Sequence, residues 1–504
     1  MSLNSALSIA SGGLANINAQ FALISQNVAN AATPGYAVEI GSQQALTVDG
    51  LGMGVQTNPA RPLIDQALQA SVAQQNASVA GLQTTQTALQ AIDSVLGTPG
   101  AGTDIGSLLG NLQGSFGTLL TDPANQTQQS AVVSAATTLA QGIGSLAGTY
   151  AAQRQAAQNG IQSEIGTLNA TLATIGQLSN QIVALKPTNQ GTADLENQRN
   201  AAVQTLSRLL DIKTVPQTNG DLSIFTSGGL TLPTRGGATP FSIAGASVPA
   251  GSYYPGGGIP GILIGGADVT KQMTGGQIGA NIALRDTTLP AGQAVLDEFA
   301  HGLSTRFAGQ GLTLFTNPAG VVPAGGGPPV QAGYVGYAGV IQVNPAVSAN
   351  PSLVRDGTNA VAGTGFVPNP PGGPAGFTGL IANIADFTFG AQLQGGVSQP
   401  VMNTGGLGAA GNLNAPFNAT GGALSDFATN LIASQAQQSA TVTANVATEQ
   451  ALQTSLNGKV TAVSGVNMDT EVSQMLALQQ AYGANARVIA GVQSMFTQLL
   501  QAVQ

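Results

Sequence analysis

Few side chains in this sequence could carry out a reaction. His301 is the single histidine, and it follows Asp297 and Glu298 on a helical pattern, where a base beside carboxylates could in principle form. A lone histidine in that setting is more often a surface or capping residue. There is no cysteine, which removes disulfides, thiolate nucleophiles, thiolate zinc sites and iron–sulfur clusters. One histidine cannot supply a metal-binding pair, and the HExxH and GxSxG signatures are absent. Two GxGxxG stretches occur, Gly256 to Gly261 and Gly406 to Gly411. Neither follows a clear strand and opens a helix, the context phosphate binding requires. With 69 glycines in the chain, such matches arise by chance. The inventory predicts no enzyme, no cofactor and no metal.

What remains is a polar segment and two apolar stripes. Residues 25–36 read Ser-Gln-Asn-Val-Ala-Asn-Ala-Ala-Thr-Pro-Gly-Tyr. Pro34 and Gly35 stop a helix, because Pro34 disfavours helical backbone at Thr33. Asn27 and Asn30 can bond backbone groups freed by the helix end, and Tyr36 offers a ring with a polar tip suited to a half-wet interface. Ahead of them, Leu3, Leu7, Ala10, Leu14, Ile17, Phe21, Ile24 and Val28 alternate in steps of four and three, as in a coiled-coil seam. The other end mirrors this with Met468, Val472, Met475, Tyr482, Ala486, Ile489, Phe496, Leu500 and Val503. Asp469 and Glu471 favour the positive end of that helix. Narrow stripes need partners: first the other terminus, then neighbouring copies. Gly12 and Gly13 each cost about 1 kcal/mol inside a helix, so the termini are expected to stay disordered until assembly.

Composition narrows the class. The 504 residues predict several domains. Only 7% are charged and the net charge is −8, which leaves no electrostatic footprint for nucleic acid. Aromatic residues make up 4% and tryptophan is absent, so stacking platforms are not expected. No apolar run reaches 18 residues, so no membrane insertion is predicted. The first cation is Arg61, preceded only by Glu39 and Asp49 among charged residues, which fits neither a secretory signal nor a transit peptide.

Between the ends, helical patterns cover 64–96, 165–185, 193–210, 278–307 and 424–463. After Asp211 short β-branched runs appear, with a hairpin signal at Asn219-Gly220-Asp221. Residues 311–423 hold 12 of the 25 prolines and only Arg355, Asp356 and Asp386 as charges, which reads as a second β-rich region with long turns. The predicted fold class is multidomain α + β: a terminal α-helical coiled coil, a long-helix bundle core and two inserted β-rich domains. The expected division is 1–35 with 464–504 as the terminal coiled-coil domain and 36–210 with 275–310 and 424–463 as the helical core. Residues 211–274 form one β-rich insertion, and 311–423 form a Gly/Pro-rich outer variable domain.

Asn27-Val28-Ala29-Asn30 followed by Thr33-Pro34-Gly35-Tyr36, after a heptad stripe, resembles the signature of bacterial flagellar axial proteins: rod, hook and hook-associated proteins. Ser464 to Asp469, Gln479 to Tyr482, Arg487 to Ile489 and Met495-Phe496 are similar to that family's terminal helix. Asp194 to Arg199, Leu222 to Ile224, Gly276 to Gly279 and Leu284 to Glu298 narrow the resemblance to the first hook–filament junction family, hook-associated protein 1. Two departures stand out. Ala37, Val38 and Glu39 occupy positions where the family often places a basic residue, and Gly483 weakens a helix that is usually stronger.

The resemblance implies an extracellular structural subunit, exported by the flagellar type III system without a cleaved signal peptide. Its implied partners are further copies of itself, the hook protein on one side and hook-associated protein 3 on the other, with an export chaperone on the C-terminal helix. The residues expected to form the assembly interface are Leu3, Leu7, Leu14, Ile17, Phe21, Ile24, Asn27, Val28, Asn30, Pro34, Gly35, Tyr36, Val472, Met475, Tyr482, Ile489, Phe496, Leu500 and Val503. The alternatives are a hook or distal rod protein, or a secreted adhesin on an axial scaffold.

Overall fold

The computed structural model describes residues 3–33, 35–48, 51–97, 102–235, 240–362, 364, 366–419 and 421–502. Helix α1 (Leu3–Asn30) opens the chain. Four short strands follow: β1 (Glu39–Ile40), β2 (Gln43–Val48), β3 (Leu51–Thr57) and β4 (Arg61–Pro62). β1 pairs with β4, and β2 with β3, both antiparallel. The helical body comprises α2 (Gln66–Leu96), α3 (Ile105–Thr121), α4 (Gln126–Leu185) and α5 (Ala193–Leu209). Three of these starts have a side-chain cap. Asp65 accepts from the amides of Ala67 and Leu68, Asp104 from Ser107, and Asn125 from Thr127 and Gln128, satisfying donors the first helical turn leaves free. Gly97, at φ 79°, takes the left-handed backbone that ends α2.

The hairpin expected at Asn219-Gly220-Asp221 joins β5 (Ile212–Pro216) to β6 (Leu222–Thr226), and β7 (Thr231–Leu232) completes the sheet. A second small sheet runs β10 (Ala267–Asp268), β9 (Leu263–Ile264), β8 (Phe241–Ser242). Helix α6 (Gly276–Ala283) then passes through a π-helical turn, Leu284–Thr288, into α7 (Leu289–Gly309). Among the described residues, 311–423 carry strand only as two two-stranded ribbons, β11 (Phe315–Thr316) with β12 (Gln342–Val343) and β13 (Gln392–Gln394) with β14 (Val397–Ser398). Short helices α8 (Pro345–Ala349), α9 (Leu353–Asp356) and α10 (Gly379–Asn383) punctuate irregular chain. The long helices α11 (Leu424–Ser464) and α12 (Met468–Ala502) close the fold. The sequence pattern began α4 at Ile165; the helix is one rod of 60 residues starting 39 positions earlier.

Two apolar cores share that rod. One gathers α3, the first half of α4, α7 and the start of α11, and includes residues of 311–423 such as Leu312, Phe315, Tyr337, Ile384 and Leu407. Phe116, Phe307 and Phe389 meet there at centroid separations of 5.6–6.5 Å. The other gathers the second half of α4, α5, α6 and the sheets of 211–274. Both α1 and α4 are long and apolar enough to pass for membrane spans by composition; buried apolar residues include Ala10, Ile17 and Ile24 on α1 and Val132, Leu139, Ile161 and Leu172 on α4.

The polar groups flagged around His301 are occupied by architecture. The Asp297 carboxylate accepts from the amides of Gly336 and Ala338, and Glu298 accepts from Tyr334 Oη (2.6 Å) and Asn403 N (2.8 Å). The His301 ring stacks on Tyr334 at 3.9 Å, and burial pushes its pKa down. These bonds fasten 311–423 onto α7. At the first insertion, the buried Arg154 guanidinium donates to the carbonyls of Arg285, Pro249 and Ser252. Arg285, itself buried, grips Asp286 and Gln158 beside the π turn.

Candidate assembly interface

The two ends of the chain pack together: α1 lies along α12. No charged residue occurs before Glu39, so α1 brings only neutral side chains to this contact. Its buried positions are Ala10, Asn16, Ile17, Ile24 and Asn27. Small residues allow close approach, since a Cβ at Gly13 would sit 3.3 Å from the Asn485 side chain. Asn16 is a buried polar position on this face, and its Oδ1 accepts from Thr57 Oγ1 at 2.6 Å, tying β3 to the helix.

Of the predicted interface residues, Ile17, Ile24 and Asn27 are buried. Leu3, Leu7, Leu14, Phe21, Val28, Asn30, Gly35, Tyr36, Met475, Ile489 and Phe496 are half-buried. Val472, Tyr482 and Leu500 are exposed, and Pro34 and Val503 lie outside the described residues. The covered side of α12 runs through Glu471, Met475, Leu478, Asn485, Ile489, Val492 and Phe496. Large apolar groups on both flanks of this side face solvent: Met468, Val472 and Leu476 on one, Val488, Met495 and Leu499 on the other, with Leu500 beyond them. The predicted C-terminal stripe straddles covered and exposed positions, because a narrow heptad pattern does not say which flank a single partner covers.

The segment after α1 forms the densest polar contact. Asn27 is 2% exposed and uses its full amide capacity. Its Nδ2 donates to the Glu39 carbonyl (3.0 Å) and to Glu471 Oε1 (3.3 Å). Its Oδ1 accepts from the Glu39 amide (2.9 Å) and from Tyr36 Oη (3.1 Å). Asn197, on α5, repeats the arrangement two residues back: it brackets the Ala37 amide and carbonyl, both at 3.1 Å, and donates to Glu39 Oε1. Val38 N donates to the Ser464 carbonyl at 2.7 Å. One strap, residues 36–40, therefore joins both terminal helices to the helical body.

Burial sets the electrostatics here. Desolvation, with Asp194 and Glu196 nearby, raises the pKa of Glu39, and desolvation raises that of Glu471. Tyr36 is also raised, by burial and by the charges of Glu39, Asp194 and Glu471. Asn30 lies outside this cluster and closes its own helix end, donating to the Gln26 carbonyl and accepting from Thr33. Gly35 has φ 79°, and a Cβ there would crowd the Gln204 side chain, so both backbone and space call for glycine. Glu39, Asn197 and Glu471 escaped prediction as site residues. A charged residue inside a long neutral stretch was the only signal for Glu39, and nothing local links it to Glu471, 432 positions away.

Among the described residues no cluster of three or more acidic or histidine side chains is placed to hold a metal. The arrangement is one of docking: paired helices, a strap locked by side-chain amides and uncovered apolar groups on both flanks of the C-terminal helix.

Comparison with known proteins bears on what docks. Residues 89–318 match the family model described as the flagellar hook-associated protein FlgK helical domain. Residues 459–502 match the flagellar basal body rod FlgEFG protein C-terminal domain. No curated protein matches the chain. Among solved structures, the flagellar hook junction protein FlgK from Burkholderia pseudomallei is 25% identical over 51% of this chain. That match spans 46% of the other chain, with a TM-score of 0.40.

Proposed function

We infer that this chain, which belongs to the flagellar hook-associated proteins, is the structural subunit that joins hook to filament. The observation that carries this reading is the combination of a hook-associated helical domain over 89–318 with paired terminal helices, one of which leaves large apolar groups on its flanks uncovered. In an axial assembly, neighbouring copies would cover Val472, Leu476, Met495, Leu499 and Leu500. The hook protein would lie on one side and the second junction protein, hook-associated protein 3, on the other. Export through the flagellar type III channel suits a chain with no disulfides to jam a narrow passage. A chaperone would shield the C-terminal helix before assembly, and the working location would be outside the cell. The regions 211–274 and 311–423 would face outward from the axis.

A hook or distal rod subunit is the second reading, favoured by the C-terminal match, which is to a domain of rod and hook proteins. Deleting the gene separates the two. Electron microscopy showing hooks without filaments, with flagellin in the medium, would support the junction role; missing hooks would move the protein down the axis. Intact filaments would remove the axial reading.

A further inference from the structure

The strap joining the termini to the body holds two carboxylates that the assembly reading does not use. Glu39 is 4% exposed and Glu471 is 5% exposed. Neither has an ion pair among the described residues, where the salt bridges are Arg235–Asp221, Arg285–Asp286 and Arg355–Asp356. Each is held by a neutral amide donor: Glu39 Oε1 by Asn197 Nδ2 and Glu471 Oε1 by Asn27 Nδ2. The second oxygen of Glu471 is buried and meets no donor at all. An ionised carboxylate in that position leaves its charge on an oxygen that nothing solvates, whereas a proton on that oxygen removes the charge.

The surrounding elements add no positive charge to this site. Helix α1 has no ionisable side chain. The strap supplies Tyr36, and α5 supplies Asp194 and Glu196, which act on Glu39 with the same sign. From α5, Arg199 points the other way, donating to the Gly220 carbonyl and Ser179. On β4, Arg61 pairs in register with Ile40 and is exposed. Lys459 lies on α11 before the Ser464 contact, and α12 begins with Asp469.

We propose that Glu39 and Glu471 form a proton-operated latch, which holds both terminal helices against the helical body when protonated and loosens them when ionised. The elevated pKa of each group fixes the sign. A folded-state value above the unfolded one gives stability that is complete below the ordinary carboxylate range and is lost as pH rises through the elevated value. The latch is therefore tight in mild acid and loose at alkaline pH. Asn27 and Asn197 stay bonded to the strap backbone in both states, so loosening need not unfold the strap.

Hydrogen exchange followed by mass spectrometry on the full chain tests this, with rates corrected for the intrinsic pH dependence of exchange. Between pH 5 and pH 8, protection of segments 24–40 and 464–478 should fall, by up to about tenfold per pH unit for each proton the latch releases. Protection of the α4 core should hold. The double variant Glu39→Gln/Glu471→Gln should abolish the fall and keep the α4 protection. If the double variant does not fold, Glu471→Gln alone should at least halve the fall on a logarithmic scale. Flat protection in the unmodified chain, or an undiminished fall in either variant, would overturn the latch.

Discussion

Replacing Asn27 by alanine removes the side chain that serves the strap and the C-terminal helix at once. Three buried groups lose their partner: the Glu39 amide, the Glu39 carbonyl and Glu471 Oε1. The Tyr36 hydroxyl, on a half-buried residue, can turn to water. An orphaned buried polar group costs about 1–3 kcal/mol. Water entering the space left by the amide offsets part of this, so the net cost is about 3–4 kcal/mol. That figure applies to the local opening of strap and termini, whose equilibrium should shift roughly 100- to 1,000-fold. Exchange protection in segments 24–40 and 464–478 would fall by that factor, with α4 peptides around Ile143 and Leu168 unchanged. A fall below about tenfold would mean the amide is not the tie between the ends, and an equal loss in α4 would mean the strap is part of the global fold.

Four further outcomes follow from the same contacts. Leu499→Ser with Leu500→Ser, at positions 56% and 67% exposed, should leave the unfolding free energy of the isolated chain within about 0.5 kcal/mol of the original in denaturant titration yet abolish filament attachment in complemented cells. Glu164, with its pKa raised by burial to about 7, adds stability that is complete below about pH 4.5 and lost as pH rises through 7. Calorimetry should therefore show Glu164→Gln to be more stable than the parent at pH 8 by at most about 3 kcal/mol, and the gap should close at pH 5. Arg154→Met removes the donor to three carbonyls and should cost about 3 kcal/mol by calorimetry, with exchange at 249–252 rising first. Phe116→Ala, at the centre of the aromatic cluster and fully buried, should cost about 3–5 kcal/mol in denaturant unfolding, whatever the pH.

Local periodicity made much of the fold legible. The terminal helices and α2 follow apolar spacing, α5, α7 and α11 follow helix-favouring composition, and the β5–β6 turn follows Asn219-Gly220-Asp221, because each rests on preferences of near neighbours in sequence. Helix α3 and the first half of α4 were not legible. Gly110, Gly114, Gly117, Gly142, Gly144 and Gly148 lower helical propensity there, and tertiary packing of Phe116, Leu139 and Ile143 overrides it. The irregular chain of 311–423 was read as β-rich because proline and glycine punctuation marks turns but says little about what lies between them. Its apolar residues complete a core built by helices from elsewhere. At the interface, Asn27 and Tyr36 could be picked out from residue type and position. Their partners Asn197 and Glu471 come from distant segments, and only the folded chain brings those together.

Helix α4 runs for 60 residues without a break, about 90 Å at 1.5 Å per residue. Its first half is set in one core through Val132, Leu139 and Ile143, and its second half in the other through Ile165, Leu172 and Ile175. A beam embedded at both ends has no hinge between its mountings. Torque delivered to one end therefore reaches the other as rotation of the whole body, with little absorbed on the way. Compliance in such a subunit must then sit at its edges, in the strap and the terminal helices, where a neighbouring copy would bear in the proposed assembly.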